Sequence, residues 1–276
     1  MSNSVSITTV MGIIAGFACV TISIMKSGNL GDFIDPGSIF IVIGGVICAT
    51  MASFSSERLK KTMQAVKIAC RNQQVDFNKS IDTIISIANV ARRDGLLALE
   101  ELTDGMEDPF LKKAIMLVVD GSDPELIQSV LETELDSTKE RHAEIRAVLD
   151  AAAGYAPGFG MIGTLIGLIN MLKNLSDMGS LGSNMSVALV TTFYGSMLAN
   201  LVFGPLSRRL KTLDDKECLQ REMMIEGVLS IQNGENPRII REKLNSFLAK
   251  AEVREDDKSG HSAKSTKSAK TEEKAS

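Results

Sequence analysis

Apolar and polar positions alternate in long blocks along this chain. Four apolar blocks contain no Asp, Glu, Lys, Arg or His, and they cover residues 7–25, 36–54, 151–172 and 185–206. A helix needs about 20 residues to cross the hydrocarbon core of a bilayer, so each block is long enough to span a membrane. The pattern predicts an all-α membrane protein with four transmembrane helices and a large helical cytoplasmic domain.

The polar connections predict the orientation of these helices. Two connections, 26–35 and 173–184, are short and carry one lysine each, whereas basic residues cluster directly after the second and fourth blocks. The clustered residues are Arg58, Lys60, Lys61, Arg208, Arg209 and Lys211. Lys and Arg collect on the cytoplasmic side of a membrane. Both termini and segment 55–150 are therefore expected in the cytoplasm, with the chain passing several times through the inner membrane.

The polar segments carry helical periodicity and helix stop signals. Apolar residues return every three or four positions in 59–70 and in 81–93, which is typical of an amphipathic helix. Gly95 suits a helix end, and Pro124 after an aspartate suits a helix start. A helix beginning there runs without interruption into the third apolar block. The fourth block continues in the same way until Gly234.

These signals divide the chain into five segments. Transmembrane helices 1 and 2 are predicted in 1–54, a cytoplasmic helical domain in 55–150, and transmembrane helices 3 and 4 in 151–206. Cytoplasmic C-terminal helices follow in 207–253. Residues 254–276 are rich in Lys, Ser, Glu and Ala and contain no large apolar residue, so this tail is predicted to be disordered.

Composition argues against several classes of function. The net charge of −4 disfavours broad nucleic-acid binding, and the two histidines stand in no catalytic or metal-binding motif. The four cysteines have no CxxC spacing and are interpreted as free thiols. The first apolar block lacks a basic leader and a convincing cleavage site, so it is not interpreted as a cleaved signal peptide. The chain is predicted not to be an enzyme and to hold no cofactor.

Small residues mark one side of the last two apolar blocks. In the fourth block Ala188, Thr192, Ser196 and Asn200 repeat every four positions, with a neighbouring row through Thr191. Two interpretations remain open. Small residues let helices pack closely, with hydroxyls bonded to their own helix, or they line a polar path for a cation. These spans contain no carboxylate, so an ion crossing here would need a charged ligand from another protein.

Two prolines and a group of charges also allow two interpretations. Pro157 and Pro205 lie near the predicted cytoplasmic ends of the third and fourth spans, where proline is either simply tolerated or acts as a hinge. The charges lie in segment 91–101. They form either an ordinary solvated surface or a surface that steers and orients a protein partner.

Three motifs give the chain a family resemblance. ARRDGLLALEE at 91–101, APGFGMIGTLIGL at 156–168 and VALVTTFYGSMLAN at 187–200 resemble the MotA/PomA family of flagellar motor stator subunits. The resemblance extends from the first apolar block to about residue 250. It implies a ring of A subunits, expected to be a pentamer, around helices of a MotB/PomB-type B subunit. That subunit would supply the missing membrane aspartate, and ion flow would drive torque on the rotor protein FliG.

The resemblance also implies roles for individual residues. The rotor-facing charges are Arg92, Arg93, Glu100 and Glu101. The coupling prolines are Pro157 and Pro205, and the hydroxyls that face the ion pathway are Thr164, Thr191 and Thr192. GTLIGL and TTFYG resemble the sodium-driven branch of the family, so Na⁺ is favoured over H⁺ as the transported cation.

Two positions depart from the family pattern. Sodium-driven members often carry an acid three residues before the first proline, where this chain has Gly154, and Thr103 replaces a further acid near the rotor-facing charges. Two alternatives therefore stay open. One is an energising subunit of the ExbB/TolQ type, although the four predicted spans and the ARRDG motif argue against it. The other is a membrane scaffold that conducts no ion.

Overall fold

The computed structural model describes residues 7–70, 76–174, 176 and 178–248. All regular elements in these ranges are helical, in agreement with the predicted all-α class. The predicted disorder of 254–276 falls outside the described residues. The helices are α1 (Ile7–Ser27), α2 (Pro36–Ile39, continued by a π-helical turn at Phe40–Gly44 and by Gly45–Ser53), α3 (Ser56–Ala69), α4 (Phe77–Asp94), α5 (Leu99–Thr103), α6 (Pro109–Val119), α7 (Pro124–Lys173), α8 (Met178–Met197), α9 (Gly204–Gln232) and α10 (237–248).

Local sequence signals set the ends of these helices. Gly95 follows α4 with φ of 89°, a conformation that suits glycine, and Gly234 follows α9 with φ of 69°. Asn236 starts α10 because its side-chain oxygen accepts the backbone N–H of Arg238 at 3.0 Å. Helix α7 begins at Pro124. The helix ends predicted at Gly95 and Gly234 and the helix start predicted at Pro124 are confirmed.

Within the part of the chain that the structure describes, three helical stretches are long and apolar enough to cross a membrane. They lie within Leu30–Ser53, Pro124–Lys173 and Leu181–Gln232, and a shorter apolar helix covers Val10–Lys26. The second, third and fourth predicted spans therefore meet the criteria of length and composition. The first apolar block forms a helix, but its qualifying stretch is shorter.

The chain folds into two units, each made of two separate stretches. Within the described residues, the first unit combines 7–70 with 140–214, and the second combines 76–139 with 215–248. The segment that was predicted as one cytoplasmic domain, 55–150, contributes to both units. Residues 140–150 join the first unit through contacts with α3 and α9, such as Glu144 with Arg58 at 2.5 Å and Arg146 with Asp214 at 3.2 Å.

The second unit has a conventional apolar core. Residues from four helices are almost completely buried there, namely Ile84, Ile115, Leu131, Met223 and Val228. The guanidinium carbon of Arg221 lies 5.2 Å from the centre of the Phe110 ring, which stabilises the edge of this core through a cation–π contact. Burial of such aliphatic side chains contributes about 1.5–3 kcal/mol each.

The first unit is held by small residues and by polar pairs between α7 and α9. Ser207 is buried and donates to the Asp150 carboxylate at 2.5 Å. Further along, Asp214 accepts from Arg146 at 3.2 Å and pairs with His142 at 2.8 Å. Burial alone raises the pKa of Asp214, but its hydrogen bonds and charge interactions with His142 and Arg146 outweigh burial and hold that pKa below its ordinary value.

Candidate functional site

Helices α7 and α8 approach so closely that glycine is required at their contact. A Cβ atom on Gly163 would lie 2.4 Å from Cγ2 of Thr191, and a Cβ on Gly195 would lie 2.5 Å from the carbonyl oxygen of Ala156. A Cβ on Gly167 would lie 2.7 Å from Cβ of Ala188. Such distances are far below ordinary van der Waals contact. At these positions the small residues therefore allow the backbones of α7 and α8 to pack closely.

Two threonine hydroxyls meet at the edge of this contact. Oγ1 of Thr164 on α7 lies 2.5 Å from Oγ1 of Thr192 on α8, and Thr164 also donates to the carbonyl of Ala188 at 2.9 Å. Thr192 is exposed and Thr164 is half-buried. The structure therefore places two of the three predicted threonines side by side at an accessible position. Their oxygens can accept a hydrogen bond or contact a cation.

Thr191 occupies a different environment. Its side chain is fully buried against Gly163. Its hydroxyl bonds to the carbonyls of Val187 and Ala188 in its own helix, both at 3.0 Å. This is the geometry expected of a threonine that fills space between helices. Two threonines adjacent in the sequence thus differ in environment, because Thr191 fills the helix contact and Thr192 lies at its exposed edge.

The accessible side of α8 continues as a polar row. Thr192, Ser196 and Asn200 follow one another at four-residue intervals, and all three are exposed. The neighbouring row through Thr191, Gly195 and Ala199 is buried. An exposed row of hydroxyl and amide groups on an apolar helix is costly against lipid, because lipid offers no hydrogen-bond partner. The row therefore favours a polar neighbour over lipid.

Both predicted coupling prolines interrupt helical hydrogen bonding. Helix α7 continues through Pro157, which removes one backbone donor from the middle of a 50-residue helix. Pro205 is the second residue of α9 and follows a π-helical turn at Leu198–Phe203. Single π-helical turns inside α-helices are frequent at functional sites. The sequence identified both prolines but gave no indication of the π-helical turn.

The predicted rotor-facing charges lie at the end of α4 and on α5. Arg92, Arg93, Glu100 and Glu101 are all exposed. Arg93 pairs with its neighbour Asp94 at 2.8 Å. Within the described part of the chain, the other three side chains have no hydrogen bond or ion pair, so their charges remain available to a partner.

Two leucines lie among these charges, and sequence periodicity did not single them out. The side chain of Leu97 is 74% exposed and that of Leu102 is 38% exposed, whereas Leu99 between them is buried. In the sequence, only Gly95 indicates that helical periodicity is interrupted before these leucines. Charged groups around exposed apolar side chains are typical of a surface that binds another protein.

Comparison with known proteins identifies the family. Residues 102–223 match the sequence model of the MotA/TolQ/ExbB proton channel family. The chain is 41% identical to Motility protein A of Borreliella burgdorferi, over 88% of this chain and 94% of that protein. It is 38% identical to the chemotaxis protein PomA of Vibrio alginolyticus, over 88% and 95% of the two chains. This chain belongs to the MotA/PomA family.

A solved structure extends the similarity to three dimensions. A chain of the flagellar MotAB stator complex from Bacillus subtilis superimposes with a TM-score of 0.81 at 32% identity, covering 89% of this chain and 97% of that one. The match includes both units of the present fold. The near-full-length similarity to motility proteins favours a MotA/PomA member over the ExbB/TolQ alternative.

The two departures from the family pattern have local structural explanations. Thr103 is buried, and its hydroxyl donates to the carbonyl of Glu100 at 2.8 Å. A carboxylate at this position would be costly to bury without a partner. Gly154 lies in open space, with no atom within 4 Å of a Cβ placed on it. The structure therefore accommodates a side chain at 154 but disfavours an acid at 103.

Proposed function

We propose that this protein is the A subunit of a flagellar stator, and that it converts ion flow into torque. The observation that carries the proposal is the exposed hydroxyl pair of Thr164 and Thr192 beside a polar row, on two apolar helices that contain no carboxylate. Such a site offers oxygens to a cation but no charge to hold it. Ion transport then depends on a second protein.

That second protein is proposed to be a MotB/PomB-type subunit with an aspartate in its single span. An aspartate beside the threonine pair supplies the charge, and the threonine oxygens replace part of the hydration shell of the cation. The solved complex named MotAB supports this composition. We further propose that five copies of the chain surround the partner helices, so that the polar row of each copy faces inwards.

The membrane arrangement is proposed to follow the four apolar blocks. The chain crosses the inner membrane four times, with both termini in the cytoplasm. The exposed apolar side chains on α1 support a first span, since Met11, Ile14 and Ile22 are each more than half exposed. The basic residues after the second and fourth blocks support the orientation.

Na⁺ is proposed as the transported ion. Two adjoining hydroxyls support this assignment, since a hard cation prefers oxygen ligands and a proton needs no ligand cage of this kind. Thr191 contributes to the pathway in this proposal through packing, because its contact with Gly163 sets the separation between α7 and α8.

Torque is proposed to pass through the surface formed by Arg92, Arg93, Glu100 and Glu101. Movement at Pro157 and Pro205 would transmit ion binding to this surface, since each proline weakens the helix where it occurs. The partner is FliG of the rotor. Charged side chains on both proteins fix their relative position in such a contact and speed their association.

The decisive experiment is co-expression with a single-span, aspartate-bearing partner in cells that lack their own stator. We expect swimming that depends on external sodium and that persists when the proton gradient is removed. Swimming that follows the proton gradient alone would reject the sodium assignment but retain the stator. Absence of both motility and ion uptake, with the complex intact in the membrane, would identify a scaffold that conducts no ion.

Reversing the charges of Arg92 and Glu100 should reduce torque without reducing the amount of protein in the membrane. Both side chains are exposed and unpaired within the described residues, and such charges contribute only about 0–1 kcal/mol to stability. We expect Arg92→Glu combined with Glu100→Lys to abolish most of the stall torque of tethered cells, because reversed charges repel the partner surface that the native charges attract.

The matched control reverses an equally exposed pair in the second unit. Arg241 and Asp82 are joined at 3.0 Å, and the double exchange Arg241→Asp with Asp82→Arg should leave torque unchanged. Compensating charge reversals in the rotor protein should restore torque to the Arg92 and Glu100 variant. Normal torque in that variant would show that these charges form an ordinary solvated surface.

A further inference from the structure

Helix α3 packs against the ends of two apolar blocks. Ala69, at the end of α3, is fully buried and forms an apolar cluster with Leu149 of α7 and Leu206 of α9, called here the junction cluster. Ile13 of α1 and Val202, which both belong to apolar blocks, pack against this cluster. Helix α3 also directly follows the second predicted span. In the proposed membrane arrangement, α3 therefore lies at the membrane surface.

The exposed side of α3 combines apolar and basic residues. Met63 is 66% exposed and Ile68 is 45% exposed. Lys60 and Lys67 are exposed as well, and positions 60, 63 and 67 share one helix face because they are three, four and seven residues apart. Exposed apolar side chains beside lysines are typical of a helix that lies in the interface of a membrane.

Basic residues of α9 flank the same junction cluster. Leu210 packs against the cluster and stands between Arg209 and Lys211 in the sequence. Val66 of α3 also packs against it and is followed by Lys67. The long side chains of Arg209 and Lys67 therefore start from neighbouring positions on two helices that meet at this cluster.

The positive charges around the junction cluster are not neutralised by the described residues. Two basic residues of α3 do have partners, since Arg58 pairs with Glu144 at 2.5 Å and Lys61 pairs with Glu57 at 2.7 Å. The Asp150 carboxylate accepts a hydrogen bond from a serine and pairs with no cation in these ranges. Five basic side chains, called here the basic surface, make no hydrogen bond or ion pair with any described residue: Lys60, Lys67, Arg208, Arg209 and Lys211.

Arg209 adds a donor that lacks an acceptor. Its Nε atom is shielded from solvent and has no hydrogen-bond partner among the described residues. A buried donor without a partner is unfavourable. An acceptor that arrives beside α9 would therefore favour a rotamer in which this nitrogen is paired. The planar guanidinium group matches the paired oxygens of a phosphate particularly well.

We propose that the basic surface binds the headgroup of an anionic phospholipid. Lys67 and Arg209 contact the phosphate diester, and Met63 and Ile68 contact the acyl chains. A lipid is favoured over an acidic protein, because a lipid meets both the cations and the exposed apolar side chains at the ends of the spans. Anionic lipids of the cytoplasmic leaflet attract basic segments beside membrane spans in this way. The inference takes only the membrane arrangement from the proposed function and requires neither ion flow nor torque.

The test variant is Lys67→Gln combined with Arg209→Gln. It removes two positive charges and keeps long polar side chains. The matched control is Arg141→Gln combined with Arg238→Gln, which removes the same charge outside the basic surface. Arg141 and Arg238 are both exposed, and neither side chain has an ion pair in the described part of the chain.

The measurement is thermal unfolding of the full chain, purified in a neutral detergent with its co-expressed partner subunit and titrated with phosphatidylglycerol. A ligand that binds only the folded protein raises its thermal midpoint. We expect phosphatidylglycerol to raise the wild-type midpoint, and phosphatidylcholine or inorganic phosphate at the same concentration to leave it nearly unchanged. The test variant should need about tenfold more phosphatidylglycerol for half of the shift. The control variant should follow the wild type.

Every other outcome overturns the proposal or is decided by a second variant. Equal midpoints of the wild type in phosphatidylglycerol and phosphatidylcholine overturn it, and so do equal half-shift concentrations for the test and control variants. An equal rise with inorganic phosphate would assign the surface to a free anion and not to a lipid. Loss of subunit assembly with unchanged lipid dependence would show that a second copy of the chain covers the surface, which also overturns it.

A second variant decides if the first fails to accumulate. Lys60→Gln combined with Lys211→Gln changes two exposed side chains, and it should also raise the concentration of phosphatidylglycerol required. An unchanged requirement in this variant would overturn the proposal. The assay measures no ion flow, so a protein that fails the proposed transport function can still pass or fail this test.

Discussion

Replacing Gly195 by valine should strongly destabilise the first unit. A Cβ at this position would lie 2.5 Å from the carbonyl oxygen of Ala156 and 3.2 Å from Cα of Gly160. Both are backbone atoms, so no side-chain rotation can relieve the overlap. Helices α7 and α8 would have to separate, which would also break the contact between Thr164 and Thr192.

The expected cost is a large part of the stability of an ordinary protein. Overpacking of a tight core costs about 1–3 kcal/mol and occasionally more, against a total stability of about 5–15 kcal/mol. We expect the valine variant to show little monodisperse protein in detergent and a large fall in thermal midpoint. Size-exclusion chromatography and thermal unfolding measure both.

Gly154→Val is the matched control for this substitution. Gly154 is also helical and also lies in an apolar block, but nothing lies within 4 Å of a Cβ placed on it. Both substitutions carry the same difference in helix propensity, so the comparison isolates the close contact. Equal accumulation of the two variants would mean that α7 and α8 do not approach as closely as the glycines indicate.

Helix boundaries were predictable because their signals are local. Gly95, Pro124 and Gly234 act through backbone conformation and the lack of an N–H, and neither effect depends on distant residues. The division into two units was not predictable in the same way. It depends on pairs such as Asp150 with Ser207 and Arg146 with Asp214, which join positions more than 50 residues apart.

The candidate site was predictable only in part. Four-residue spacing placed Thr192, Ser196 and Asn200 on one row, and the structure keeps them on one exposed side. Spacing could not decide which of two neighbouring rows is buried, because both consist of small residues. The buried row is the one that fits against α7, because Thr191 packs on Gly163 and Gly195 lies against the backbone of Ala156.

The π-helical turn gave no clear signal in the sequence. Its residues, Leu198–Phe203, are ordinary for a membrane helix, and Pro205 alone is compatible with a simple kink. The turn is identified by its hydrogen bond, in which the backbone N–H of Gly204 donates to the carbonyl of Ala199. A hydrogen-bond register of this kind results from the packing of whole helices, and it changes which oxygens of the chain are open.

Thr192→Val should impair ion-driven motility far more than Thr191→Val. Valine keeps the shape of threonine and replaces its hydroxyl by a methyl group. At Thr191 that hydroxyl bonds to carbonyls of its own helix in a fully buried position, so its loss should change stability by about 1 kcal/mol or less. At Thr192 the hydroxyl is exposed and contacts Thr164, so its loss removes an oxygen from the proposed ion pathway.

Swimming speed measured against external sodium concentration separates the two variants. For Thr192→Val we expect the sodium concentration for half-maximal speed to rise about tenfold or more, equivalent to the loss of about 1.4 kcal/mol of binding. Thr191→Val should follow the wild-type curve. Thr192→Ser keeps the hydroxyl and should restore most of the response, which distinguishes loss of an ion ligand from loss of packing. Identical curves for the two valine variants would show that both threonines serve only to pack α8 against α7.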